Sequence, residues 1–220
     1  MKIMKIIKIT FFDSLWINAL VVMIFFINSS YTQDIGIHGA KSWSDNYEIK
    51  NPLGAGFFIS LPIKENLFRI NFDYTYLKNK RKYTGRIISG FIPIDQFSEV
   101  ENIESSSFQN SYNFSFLIRT YSWKLNLLYL GLGFNISRFD GHRKGLSTGL
   151  EKDLWESNKH GLLFSLSFVK IDIISSRINV MANIKYKLLG SGNFATDVEN
   201  TFSDEMEIIE VQLGLSYKLF

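Results

Sequence analysis

Along most of this chain, large apolar side chains occupy every second position. Residues 68–76 are typical: Phe68, Ile70, Phe72, Tyr74 and Tyr76 alternate with Arg69, Asn71, Asp73 and Thr75. Successive side chains of a strand point to opposite faces, so the segment has one apolar face and one polar, charged face. The pattern recurs and predicts eight strands, over 35–43, 53–61, 67–77, 111–120, 124–139, 160–171, 177–188 and 207–220. In the fifth, Leu128, Leu130, Leu132, Phe134 and Ile136 alternate with Tyr129, Gly131, Gly133, Asn135 and Ser137. In the seventh, Ile178, Val180, Ala182, Ile184 and Tyr186 alternate with Asn179, Asn183, Lys185 and Lys187.

The connections are alternately short and long. Residues 62–66, 121–123 and 172–176 suit tight antiparallel turns, whereas 43–52, 78–110, 140–159 and 189–206 are expected to be loops on the opposite rim. A soluble sheet would turn the apolar row inward. The beginning of the chain argues for the reverse orientation. Lys2, Lys5 and Lys8 precede an almost wholly apolar stretch, 15–27, and then the small, polar run Asn28-Ser29-Ser30, the order of a secretory signal. Cleavage is expected at 30–33, with Ser30 and Thr32 before the cut and Gln33 as the mature N-terminus. A retained membrane helix is the alternative, although the apolar run is shorter than the ~20 residues that a span requires.

An exported chain with eight such segments predicts an all-β fold, an eight-stranded antiparallel up-and-down transmembrane β-barrel with short periplasmic turns and long extracellular loops. Every backbone N–H and C=O in a bilayer must be paired, so the first strand must meet the last. An even strand number puts both termini on the short-turn side, and an interior of this size is filled by side chains. One domain, 33–220, follows the signal at 1–32, with no proline-rich or glycine-serine linker.

Composition narrows the chemistry. Removing the signal takes away three lysines and Asp13, and the formal charge falls from +3 to +1, leaving no electrostatic case for nucleic acid. The absence of cysteine excludes disulfides and a lipoprotein anchor. Pro52, Pro62 and Pro93 all fall in predicted connections.

Candidate sites follow from the polar face. Arg69, Asp73, Arg119, Lys185, Lys187 and Glu210 would lie inside, where charges persist when paired, and Lys185 is expected roughly opposite Glu210. Lys78, Lys80, Arg81, Lys82 and Arg86 form a basic cluster entering the longest loop, and at the outer rim they suit the phosphates of lipopolysaccharide; a merely solvated loop is the alternative. Trp43, Tyr74, Tyr76, Phe139 and Tyr186 at one end, with Tyr121, Trp123, Tyr217 and Phe220 at the other, are expected to form the two interfacial girdles. His38, His142 and His160 lack metal-ligand spacing with other ligating residues, and His160 with Ser165 or Ser167 makes no recognised nucleophile motif. The acidic stretches 95–104 and 197–207 lack the regular spacing of a calcium loop. Neither a metal nor a cofactor is expected.

With its eight strands, short turns and ending Leu213-Gly214-Leu215-Ser216-Tyr217-Lys218-Leu219-Phe220, the chain resembles the family of small outer-membrane β-barrel proteins, similar in plan to the barrel of outer-membrane protein A. The resemblance implies placement in the outer membrane of a Gram-negative cell, contact with its lipids, and recognition of Tyr217, Leu219 and Phe220 by the barrel-assembly machinery. Phe220 stands one residue out of phase with Leu215 and Tyr217. Members of the family include structural barrels, adhesins, conduits for hydrophobic solutes and a few lipid A-modifying enzymes. The expectation is a non-enzymatic barrel whose loops contact other surfaces. A hydrophobic-solute conduit, a lipid A-modifying enzyme and a soluble lipocalin-like carrier are the alternatives.

Overall fold

The computed structural model describes residues 33–44, 51–85, 101–147, 149, 151–173, 175–191 and 205–219. The signal segment, Arg86 and Phe220 lie outside the described residues, as do 95–100 and 197–204 of the acidic stretches. Eight strands follow one another: β1 (Asp34–Ser44), β2 (Leu53–Ile63), β3 (Phe68–Gly85), β4 (Glu101–Trp123), β5 (Asn126–Gly145), β6 (Glu151–Lys170), β7 (Ile178–Ser191) and β8 (Met206–Lys218). Each pairs antiparallel with its sequence neighbours, and β1 pairs with β8 from Asp34↔Lys218 to Ser44↔Ile208, so the sheet closes as a barrel.

The predicted orientation is the one observed. Ile37, Leu213 and Leu132 point outward at 69%, 64% and 56% exposure, within a belt that includes Phe114, Phe116, Leu162, Phe164 and Ile184. Asn71, Asp73, Asn113, Asn135, Lys185 and Glu210 point inward and are buried. An outer wall this apolar is unsuited to water and suited to acyl chains, while closure leaves no unpaired edge within the belt.

Three features of the strands differ from expectation. First, β3 to β6 are longer than predicted, at 18, 23, 20 and 20 residues against 11 to 14 for the other four. The segment after Leu77 continues as strand because its register, from Lys78↔Phe108 to Gly85↔Glu101, sets Lys80 and Lys82 near Glu104. Ladders of cross-strand charge and serine pairs sustain it where apolar alternation has stopped. Since ~10 residues cross the apolar belt, the surplus raises a four-stranded crest on the order of 20 Å beyond it. Second, β4 runs through Trp123, because an irregularity between Arg119 and Tyr121 lets Tyr121, Ser122 and Trp123 pair with Leu128, Leu127 and Asn126. The turn is therefore Lys124-Leu125.

Third, Phe139 is fully buried inside the barrel, packed with Leu189, Met206 and Ile208. It therefore has no part in the outer girdle. It shares the inward face with Ser137 and Asn135, two and four positions earlier, so the strand period itself places it there.

The β2–β3 turn carries three consecutive left-handed residues, Lys64, Glu65 and Asn66, with φ of 48°, 53° and 65°. Asn66 tolerates this region, but Lys64 and Glu65 are strained by roughly 1 kcal/mol each. The turn is held from within, since the Asn66 carbonyl accepts from the Tyr129 hydroxyl at 3.0 Å and its side chain from Arg69 at 2.8 Å. Glu65→Gly is expected to raise the unfolding midpoint of the detergent-folded protein slightly, by about 0.5–1 kcal/mol. A loss of stability of that size would show that the side chain, rather than the backbone, decides the turn.

Candidate functional site: the barrel interior and the crest

Inward-facing polar residues of β1, β3, β4, β5, β7 and β8 meet in the waist of the barrel. Asp73 is the hub. One carboxylate oxygen accepts from Lys185 Nζ at 2.5 Å, and the other accepts from Asn113 Nδ2 at 2.7 Å and Gln212 Nε2 at 3.3 Å. Gln212 also donates to Glu210 at 2.7 Å, and Glu210 accepts from Lys187 Nζ at 2.7 Å with both side chains fully buried. On the other side the chain of bonds continues through Asn135 Nδ2 to Asn113 Oδ1 at 2.6 Å and Ser137 to Asn135 at 2.8 Å. His38 Nε2 joins Thr75 Oγ1 at 3.0 Å.

Lys185 and Glu210 are cross-strand partners, yet they do not form the ion pair. Lys185 reaches across the narrow lumen to Asp73 of β3, and Glu210 takes Lys187, one inward position away on β7. Lys185 and Lys187 thus each have their own carboxylate, which a single Lys185–Glu210 pair would have left undone. Nearer the turns, Arg69 forms a third pair with Asp34 at 3.0 Å and donates to the Tyr129 hydroxyl at 3.1 Å. Neither Asp34 nor Tyr129 stood out in the sequence as a partner of Arg69, because both are distant from it along the chain, and Asp34 comes close only through the register that pairs it with Ser60 of β2 and Ser60 with Asn71 of β3.

Arg119 does not enter the network. It lies beside the irregularity in β4, near the short turns, and donates to the Glu65 carbonyl at 3.1 Å.

Apolar side chains close the polar waist at both ends. Toward the turns lie Phe58, Leu117, Leu127, Tyr129, Val169 and Met181; toward the crest lie Phe139, Leu189, Met206 and Ile208.

The basic cluster lies on β3 of the crest. Lys78, Lys80 and Lys82 continue the outward row of Tyr74 and Tyr76, while Arg81 belongs to the alternate face. Lys80 donates to Glu104 at 2.7 Å, and this bond holds the partly exposed Glu104 carboxyl below the usual carboxylate range. Farther along, Arg138 pairs with Asp140 at 3.3 Å and with Glu156 at 3.2 Å. His160 points outward beside Phe134, whereas Ser165 and Ser167 point inward, so they form no dyad. Among the described residues no group of three potential ligands is placed to hold a metal. Tyr217 faces outward at the turn end and accepts from Arg177 at 3.0 Å; Leu219 follows the end of β8, its N–H bonded to Gln33.

No family model matches the chain, and no curated protein sequence does. Solved structures do. A major outer membrane protein from Thermus thermophilus matches at a TM-score of 0.55 and 9% identity, with 85% of this chain and 99% of that one covered. Ail, the attachment invasion locus protein of Yersinia pestis, in complex with the heparin analogue sucrose octasulfate, matches at 0.51 and 14%, covering 86% and 99%. The chain has the fold of the small outer-membrane β-barrels. At these identities the likeness is one of fold, and it spans nearly the whole of each of those two chains. In barrels of this type the outward apolar belt meets lipid and the turns face the periplasm, which matches the belt and the turn end described above.

Proposed function

We propose that this chain is a non-enzymatic outer-membrane barrel that serves as a rigid, closed pedestal for its crest, and that the crest binds polyanionic surface polymers. The observation that carries the reading is the continuation of β3 to β6 as paired strand well beyond the apolar belt, with Lys78, Lys80 and Lys82 in one outward row of its first strand and Arg81 on the alternate face between them. Paired strands present side chains at fixed spacing, so a row of cations there is preorganised for repeating sulfate or phosphate groups. The Yersinia pestis Ail structure holds a heparin analogue. That protein shares this fold, and its ligand has the charge that the row on β3 would attract.

The sealed interior supports a pedestal over a conduit. A solute would have to displace the apolar residues at both ends and part three neutralised ion pairs. Uptake by liposomes carrying the folded protein is expected to match that of empty liposomes. Binding supplies the direct test. Cells displaying the protein should retain soluble heparin, and Lys80→Gln/Arg81→Gln/Lys82→Gln should lower that retention about tenfold or more at ~0.15 M salt, the loss shrinking as salt rises. Equal retention by the triple variant, with folded protein present at the surface, would overturn the reading.

A further inference from the structure

One carboxylate stands among the outward cations of the crest. Glu104 of β4 pairs in the register with Lys82 of β3 on one side and with Lys144 of β5 on the other, so all three side chains share the outer face. The Glu104 carboxylate reaches diagonally to Lys80, whose ammonium donates to it at 2.7 Å. At 53% and 24% exposure, Lys80 and Glu104 can both be met from solvent. The Lys78 ammonium turns to Phe108 in its own row, 4.7 Å from the ring centroid, which leaves Lys80, Lys82 and Lys144 around the carboxylate. Lys80 and Lys82 stand two positions apart on one strand, ~7 Å, and Lys144 lies two strand spacings, ~10 Å, from Lys82.

We infer that Glu104 is the specificity-determining residue of this face: it holds Lys80 as an internal counter-ion and yields it only to polymers whose anions are spaced closely enough to engage Lys80 and Lys82 together, that is, densely sulfated polymers of the heparin kind. The inference rests on the reading of the crest as a polyanion site and names the ligand class more narrowly. An exposed ion pair is weak, so Glu104 is no barrier to a ligand with many contacts, yet it neutralises the middle cation toward a ligand with few. A densely charged chain that has bound Lys82 presents its next anion to Lys80 at high effective concentration, and the exchange of carboxylate for sulfate becomes intramolecular. A sparsely charged chain reaches one lysine at a time. Toward such a chain Glu104 competes for Lys80 and also repels, so it acts against the wrong ligand more than against the right one.

Cells displaying the protein are to be offered labelled heparin and labelled hyaluronan, which carries a carboxylate on alternate sugars only. The unaltered chain should retain heparin and little hyaluronan. Glu104→Gln should raise hyaluronan retention about three- to fivefold, the worth of one exposed charge pair, and heparin retention by less than about twofold. Glu104→Asp keeps the charge in the row and should keep the discrimination. Both variants should show unchanged heat-dependent gel migration, since Glu104 lies on the crest beyond the belt. No gain for either polymer in Glu104→Gln, or equal gains for both, would overturn the role of Glu104 while heparin retention by the unaltered chain still upheld the crest as a polyanion site. Loss of discrimination in Glu104→Asp would overturn it too, because the charge would then not be what selects. An unaltered chain that retains no heparin would instead bring down the reading of the crest, and this inference with it.

Discussion

Changing Asp73 to alanine is expected to lower the unfolding temperature of the detergent-folded barrel by on the order of 10 °C. The substitution leaves the Lys185 ammonium, 4% exposed, without its carboxylate in a lumen closed at both ends. Breaking one side of a buried ion pair costs about 3–5 kcal/mol, because the remaining charge stays desolvated. Asn113 and Gln212 lose an acceptor as well. These losses will not sum, since all three donors share one site and can relax together. Glu210→Ala should behave alike, because Lys187 beside it is fully buried. The decisive comparison is Asp73→Asn/Lys185→Met. It removes both charges and keeps an acceptor for Asn113, and it is expected to recover most of the lost stability. Gel migration of the folded form against temperature measures all three. A double variant no better than Asp73→Ala would mean that packing, and not the unpaired ammonium, sets the loss.

The same residues show what periodicity can and cannot reveal. Alternation placed Arg69, Asp73, Lys185, Lys187 and Glu210 on the polar face because orientation depends only on parity within a strand. Which cation meets which carboxylate depends on how far a side chain reaches across the lumen, and that is fixed by barrel radius and stagger, which no single strand encodes. Lys185 therefore bonds to Asp73, 112 positions away in the chain, in preference to its neighbour on β8. Parity also places Phe139 inside, where position near a strand end suggested an interfacial aromatic. The crest escaped detection for a different reason. Its strands have no apolar alternation, since both of their faces leave the membrane, and what pairs Lys80 with Glu104 is cross-strand charge, visible only once the register is known. The glycines of β2 were equally silent, because a missing side chain reports nothing about what has moved into its place.

Those glycines make the second strong expectation. Gly56→Ala should prevent the barrel from closing, so that no folded, heat-modifiable form is recovered from refolding. An alanine Cβ at 56 would lie 1.9 Å from the Tyr74 carbonyl oxygen and 2.7 Å from His38 Nε2. The first is backbone, and it can retreat only if β2 separates from β3 where Gly56 pairs with Thr75. The second belongs to the ring that bonds Thr75 at 3.0 Å, so the lumen offers no compensating space. Overpacking of a core usually costs about 1–3 kcal/mol because side chains give way; here a ladder must give way, and an opened ladder exposes backbone groups to acyl chains at several kcal/mol apiece. Gly39→Ala is the matched control. It lies on the adjacent strand, faces outward, and its nearest neighbour would be 4.0 Å away. It should fold with stability within about 0.5 kcal/mol of the unaltered chain. If both variants fold equally well, the close approach of β2 and β3 is not a requirement of closure. If both fail, the glycines act through backbone freedom alone, since the space around position 39 is open.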